Sequence, residues 1–197
     1  MIRDAFDRIV AGAALLVLSP LLLVIAVSVW TTSPGPVLFR QVRIGRDGQP
    51  FKICKFRTMA HTGLSGAAEV SPTGDPRVTT VGRVLRDWYL DELPQLINVL
   101  RGEMGLVGPR PETPEFVALY SDSERRVLSV RPGLAGPSTL GFMNEADRLA
   151  GFDDPARYYR DVLLHERVLL DLSYLERRSF GYDVRLLLRQ VIAIARH

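Results

Sequence analysis

Cysteine occurs once in 197 residues, at Cys54, which excludes an internal disulfide framework and leaves the redox compartment open. Histidine occurs three times, and no Cys/His pairs stand at metal-ligand spacing, so no structural zinc site is expected. Lysine is scarce as well. Of 25 basic residues only Lys52 and Lys55 are lysines, and the rest are arginines. Coding bias in a GC-rich genome accounts for most of that skew. For a few arginines phosphate binding is the competing reading, because a guanidinium fork grips phosphate oxygens in pairs. A large excess of either charge is lacking too: the net charge is +3. That mild excess suits an anionic substrate or surface and gives no sign of a nucleic-acid partner. Internal repeats and low-complexity tracts are absent. At 47% hydrophobic residues, the length supports one domain with a core of its own and is too short for two comfortable ones.

What is present begins with an uncharged run, "IVAGAALLVLSPLLLVIAVSVW", from Ile9 to Trp30. At 1.5 Å per residue it would span a hydrocarbon core of roughly 30 Å. A secretory signal fits poorly, since the run is long and its flank mixes Asp4 and Asp7 with Arg3 and Arg8. Ser19-Pro20 stands at its centre. Proline removes a helix hydrogen bond and clashes one turn back, while the serine hydroxyl can satisfy a freed backbone group. Two readings are even on these residues: a kinked single span, or a helix that breaks, dips into one leaflet and returns. Arginines flank both ends, with Arg40, Arg43 and Arg46 on the far side.

Beyond the run, "TTSPGP" is a turn-rich exit, and "VLFRQVRIGRDGQPFKICKF" reads as two short strands joined by a tight turn at Asp47-Gly48. A Gly/Ser/Ala/Pro-rich loop covers Ala60 to Pro76, with a lid and a tolerated insertion as equal readings. Helices are expected from a Thr80 cap, from Glu92 to Arg101 with Gly102 as the stop, from Thr113-Pro114, after the capping box "SDSE", and from Asp154 to Arg178. "RPGLAGPSTLG" is expected to be a loop. The final "DVRLLLRQVIAIARH" is basic and amphipathic, suited either to the membrane interface or to packing on the core.

The chemistry-bearing stretch is "LDELPQLINVLRGEMGLVGPRPE", Leu90 to Glu112. Asp91 and Glu92 stand at an expected helix start, where a plain N-cap acid pair is the default reading. Arg110 is flanked by Pro109 and Pro111, whose rings restrict the backbone on both sides, and Gly108 permits a turn or a close approach. "FKICKFRTM" adds Lys52, Lys55 and Arg57. Each cation taken singly reads as a surface charge. Paired acids, clustered cations and a membrane segment together suggest phosphoryl chemistry on a lipid.

These motifs resemble the small monotopic phosphoglycosyl transferases, also called bacterial sugar transferases. The resemblance covers nearly the whole chain: the Ser19-Pro20 break, "GPVLFRQVRIGRDGQPFKICKFRTM", "DPRVTTVGRVLRDWYLDELPQLINVLRGEMGLVGPRPE", "RPGLAG" and "YLERRSFGYD". It implies an α+β, mostly helical fold. A re-entrant membrane helix over 1–32, broken at Ser19-Pro20, would precede a cytoplasmic catalytic domain over 33–197. That domain would carry a small β-hairpin and several short and amphipathic helices packed at the membrane interface of the bacterial inner membrane. It also implies transfer of a phosphosugar from a UDP-sugar to undecaprenyl phosphate with release of UMP, the step that commits a sugar to a cell-surface glycoconjugate. Asp91 would be the nucleophile, forming an aspartyl-phosphosugar, and Glu92 would hold magnesium. Arg110, with Lys55, Arg57 and Arg86, would stabilise phosphate oxygens, and Arg131 would contact phosphate or uridine. Gly105 departs from the serine common in the family at that position. No counterpart of the extra spans and amino-terminal domain of larger relatives is expected, and the resemblance implies the minimal form. The region from Ser138 to Tyr159 is the candidate for sugar selection, and a homo-oligomer is left open. Two alternatives stand beside this reading: a single-pass transferase acting by direct displacement, and a non-catalytic scaffold whose acids cap a helix.

Overall fold

A computed structural model describes residues 2–60 and 71–196. Helix α1 runs from Ile2 to Thr32 and continues through Pro20. Its hydrogen bonding therefore does not stop at the Ser-Pro pair, and the cause is local. Pro20 has no N–H for the carbonyl of Leu16, one turn back. The Ser19 hydroxyl donates to that same oxygen at 2.8 Å. The orphaned acceptor is thus satisfied within the helix, as an apolar surrounding requires.

The two halves of α1 both touch the remainder of the chain. Ala11 is buried with Val99, Met104 and Leu106, and Arg3 pairs with Asp183 at 2.8 Å. Further on, Ile25 and Val29 are buried against Phe56 and Leu85. Between the two contacts Ala14, Leu15, Leu18 and Leu22 are partly buried on the same side, while the opposite face is open, with Leu16 and Val17 each 77% exposed. Among the described residues α1 is the helix long and apolar enough to cross a membrane.

Strands β1 (Leu38–Ile44) and β2 (Pro50–Phe56) form the expected antiparallel hairpin. Its turn places Asp47 and Gly48 at φ 55° and 75°, the left-handed pair that Asp-Gly favours. Of the loop expected over 60–76, residues 61–70 lie outside the described residues. Helix α2 (Thr80–Asp87) starts one residue earlier than expected, capped by the Thr79 hydroxyl on the N–H of Gly82. The segment expected as one helix from Glu92 is a 3-10 turn over Leu90–Gln95 followed by α3 (Leu96–Arg101), which Gly102 ends at φ 80°. Helix α4 covers Pro114–Val117. At "SDSE" the reciprocal capping box forms, Ser121 N–H to Glu124 and Glu124 N–H to Ser121.

The segment expected to be a loop at "RPGLAG" contains a strand. β3 (Gly105–Val107) and β4 (Gly133–Ala135) pair in parallel. Three-residue strands are too short to show a period-2 pattern. Glycines allow the pairing: a Cβ on Gly133 would lie 2.0 Å from the backbone nitrogen of Gly108. Because the clash is with backbone, Gly133→Ala should cost about 3 kcal/mol, within the range for overpacking. A drop of roughly 6–12 °C in melting temperature is expected for a chain of this size, and an unchanged melting curve would contradict the close approach.

Short α5 (Pro137–Gly141) and α6 (Glu145–Ala150) follow. The helix expected from 154 to 178 forms without a break from Pro155 to Arg177, as α7 (Pro155–Tyr158), a π turn over Tyr159–Leu163, and α8 (Leu164–Arg177). Helix α9 (Phe180–Ala195) buries Leu186 and leaves Phe180, Leu188, Val191 and Ile192 exposed. An apolar strip beside arginines is therefore turned outward, the pattern of an interfacial helix.

Candidate active site

Three elements bring the paired acids to one place. Strand β2 carries Lys55 and is tied to α3 by Asn98, a fully buried side chain. Asn98 accepts the N–H of Cys54 at 3.0 Å and donates to the carbonyl of Lys52 at 2.8 Å. Helix α2 ends at Asp87 with Trp88 as its cap, and Tyr89 turns the chain with φ 54°, a left-handed conformation costly for a side chain of that size. The Tyr89 hydroxyl donates to the carbonyl of Met143 at 2.7 Å, which helps hold that turn. The 3-10 turn then presents Asp91 and Glu92.

Asp91 lies inside this turn, one residue past its first position, while Tyr89 occupies the cap. The carboxylate pair is not a helix cap, which removes the default reading of the doublet. Asp91 is 9% exposed. Burial pushes its carboxyl above the usual range, the charge of Lys55 pulls it back, and the adjacent Glu92 raises it further. Glu92 moves the other way. Burial alone would raise it, but Lys55 and Arg110 override that and hold it well below the usual carboxylate range. Lys55 Nζ is 2.6 Å from Glu92 Oε1, and Arg110 is 3.6 Å from the same oxygen. The pair is thus split into one firmly anionic group and one more basic, more nucleophilic carboxylate.

Arg86 completes the ring of cations. Its Nε donates to Thr58 Oγ1 and its NH1 to Ser71 Oγ, both at 2.9 Å, and its charge acts on Asp91. Lys55, Arg86 and Arg110 therefore converge on the acids.

Two residues placed with them by sequence reasoning are engaged elsewhere. Arg57 is 6% exposed and donates to the carbonyls of Pro34 (2.6 Å), Ser33 (2.7 Å) and Val29 (3.4 Å). It caps the end of α1. The reason is that β2 ends at Phe56, so the side alternation that links Lys55 to Arg57 stops before Arg57 is reached. Arg131 pairs with Asp4 at 2.5 Å, at the opposite end of α1.

Other residues reach the site without a motif to announce them. Tyr159 donates to Glu112 at 2.8 Å, and Arg43 stands 3.4 Å from the other Glu112 oxygen, so the residue after the Pro-Arg-Pro turn is gripped from two sides. Arg167 pairs with Glu145 and adds its charge near Arg110. With Tyr89, this pairing draws the start of the 138–159 region toward the acids.

A family described as bacterial sugar transferase matches residues 1–197. The chain belongs to the bacterial sugar transferase family. Its similarity to individual members runs along most of its length. It is 37% identical over 194 residues to the UDP-glucose:undecaprenyl-phosphate glucose-1-phosphate transferase of Escherichia coli strain K12, covering 94% of this chain and 38% of that protein. It is 36% identical to the exopolysaccharide production protein ExoY of Rhizobium meliloti, covering 98% and 85%. It is 42% identical to the UDP-N-acetylgalactosamine-undecaprenyl-phosphate N-acetylgalactosaminephosphotransferase of Aeromonas hydrophila, covering 74% and 36%. This bacterial sugar transferase thus spans well under half the length of the Escherichia coli and Aeromonas relatives and most of the length of ExoY.

Magnesium would find hard oxygen donors here. Among the described residues no group of three or more His, Cys, Asp or Glu gathers to cage a metal. Magnesium is ordinarily held by one or two carboxylates with phosphate oxygens and water completing the shell, so Glu92 fits it as a partial ligand.

Proposed function

We propose that this bacterial sugar transferase moves a sugar phosphate from a UDP-sugar to undecaprenyl phosphate and releases UMP, in two steps through an aspartyl-phosphosugar. The observation that carries the reading is the split pair: a buried, more basic Asp91 beside an anionic Glu92, ringed by Lys55, Arg86 and Arg110. In the first step an Asp91 oxygen attacks the phosphorus bonded to the sugar, and the bond to the bridging oxygen breaks. UMP leaves with that oxygen and its electron pair. In the second step an oxygen of undecaprenyl phosphate attacks the same phosphorus, and the Asp91 carboxylate is released. Arg110, Lys55 and Arg86 stabilise the charge on the phosphate oxygens throughout. Magnesium, held in part by Glu92, neutralises diphosphate charge when bound. The names of two of these relatives support undecaprenyl phosphate and a UDP-sugar as substrates, and the name of ExoY supports a role in exopolysaccharide production.

The membrane seat belongs to the same reading. Residues 1–32 dip into one leaflet and return, and 33–197 form the catalytic domain on the cytoplasmic face of the inner membrane, where UDP-sugars are found. Support comes from α1 itself, whose two halves both rest on the remainder of the chain while its opposite face, with Leu16, Val17, Leu23 and Val24, is apolar and exposed.

The test is UMP release from a panel of UDP-sugars, glucose and N-acetylgalactosamine forms first, with magnesium and after chelation by EDTA. Release with at least one sugar, lost on chelation, is expected. Rapid-quench mass spectrometry should find the phosphosugar adduct on Asp91. Turnover without that adduct would favour direct displacement, and no release with any sugar would favour a scaffold.

A further inference from the structure

A buried carboxylate that this chemistry does not use lies behind the Pro109-Arg110-Pro111 turn. Asp171, on α8, is 3% exposed. Its Oδ2 accepts the backbone N–H of Arg110 at 3.1 Å and the hydroxyl of Ser138 at 2.7 Å. Its Oδ1 accepts the backbone N–H of Ser138 at 3.2 Å. Arg110 stands in the loop beyond β3 and Ser138 in the first turn of α5, just beyond β4, so the segments leaving the parallel strand pair converge on one anion. They are also pressed together there: a Cβ on Gly136 would lie 2.4 Å from the carbonyl oxygen of Gly108.

Three hydrogen bonds from two segments satisfy this buried group. Burial pushes the Asp171 carboxyl up to about 6, even though Ser138 and the Arg110 N–H pull it down. A carboxylate in such a place costs free energy, and apolar packing would serve a core better. What the carboxylate does supply is a fixed point for the backbone from which Arg110 projects. The proline rings restrict that backbone locally, but they do not set where the whole turn lies relative to the acids.

We propose that Asp171 is a positioning residue: by holding the Arg110 and Ser138 amides together, it sets where the Arg110 guanidinium stands against Glu92 and the bound diphosphate. The proposal rests on the reading of Arg110 as a phosphate contact. Asp171→Asn keeps the shape but puts an NH2 group against at least one donor. A loss of kcat/KM for the UDP-sugar of about 10- to 100-fold is expected, the scale of an angstrom-sized misplacement.

A double-mutant cycle with Arg110→Ala separates positioning from a role in folding alone. In the Arg110→Ala background, Asp171→Asn should add less than about twofold, because the group it positions is gone. Affinity for UDP by calorimetry should show the same non-additivity. Ser138→Ala, which removes one bond to the same carboxylate, should give a smaller loss that also vanishes in that background, and it carries the cycle if Asp171→Asn does not fold. Full additivity, or an Asp171→Asn enzyme with unchanged kcat/KM, overturns the proposal. Wild-type UMP release answers for the function by itself. An inactive wild type overturns both readings, and an active one with an additive cycle overturns only this one.

Discussion

Asp91→Asn is expected to abolish UMP release, with kcat lowered about 10^4-fold or more, the scale seen when a covalent nucleophile is removed. The amide is nearly isosteric, so the cation ring of Lys55, Arg86 and Arg110 stays in place and substrate binding survives. That separation matters. A residue that only bound magnesium or shaped the pocket would lower affinity as well, while loss of the nucleophile alone leaves UDP affinity near wild type. The pH profile gives a second readout with a definite sign. Asp91 acts as the anion, and burial raises its carboxyl above the usual range. Activity should therefore rise with pH and reach its plateau only above the range in which ordinary carboxylates have ionised. An acid limb near pH 4 would mean that the titrating group is not this one. The stability of the variant is predicted too. A carboxyl whose folded-state pKa is raised binds more protons in the native state than in the unfolded one. Stability then falls as pH rises from the unfolded value to the folded one, and above that window the ionised Asp91 is a net cost. Asp91→Asn should thus melt at or above the wild-type temperature at pH 7. A variant that is both inactive and less stable would point to structural damage instead.

How much of this site is legible in the sequence depends on the length of the pattern that carries it. The hairpin is readable because Asp47-Gly48 dictates one turn geometry, and the α3 stop is readable because Gly102 takes a left-handed φ. Asp91, Glu92, Arg110, Lys55 and Arg86 are legible as candidates, since they belong to long motifs, and the structure brings them together. Arg57 sits in the same motif as Lys55, yet it serves the end of α1. Strand alternation predicts a shared side only while the strand lasts, and β2 stops one residue short. The parallel pair β3–β4 is hidden because its strands are three residues long and lie 28 positions apart in register, Gly105 opposite Gly133. Asp171 is hidden for a similar reason. It is one acid in an ordinary amphipathic helix, and its partners stand 33 and 61 residues away. No local pattern reports a contact of that kind. The Asp91-Glu92 doublet itself changes meaning with its surroundings. As a dipeptide it is a helix cap, and only the 3-10 turn, with Tyr89 at the cap, frees both carboxylates for other work.

Pro20→Leu should carry the amino terminus of the chain across the membrane. On the dip-and-return reading proposed above, restoring the N–H at position 20 removes a penalty on a membrane-crossing helix of about 3 kcal/mol, a shift of roughly 100-fold toward crossing. The uncharged run from Ile9 to Trp30 is long enough to span once it is straight. Opposing it are the contacts that hold the first turns of α1 to the catalytic domain: Arg3 with Asp183, Asp4 with Arg131, and Ala11 in the core. All of them break in a spanning topology, so UMP release should fall along with the change of side. The single native thiol, Cys54, is buried, which leaves introduced cysteines as the reporters. Ala5→Cys and Gln49→Cys, both exposed positions, should react with a membrane-impermeant maleimide from the same face in the otherwise wild-type chain. In Pro20→Leu they should divide between faces. Ser19→Ala bears on the other half of the device. It leaves the Leu16 carbonyl without the hydroxyl now 2.8 Å away, while the proline remains, so same-face labelling should persist with reduced stability. Labelling on opposite faces in the wild-type background would establish a single span. Same-face labelling in Pro20→Leu would show that the ion pairs at Asp183 and Arg131, and not the proline, keep the helix from crossing.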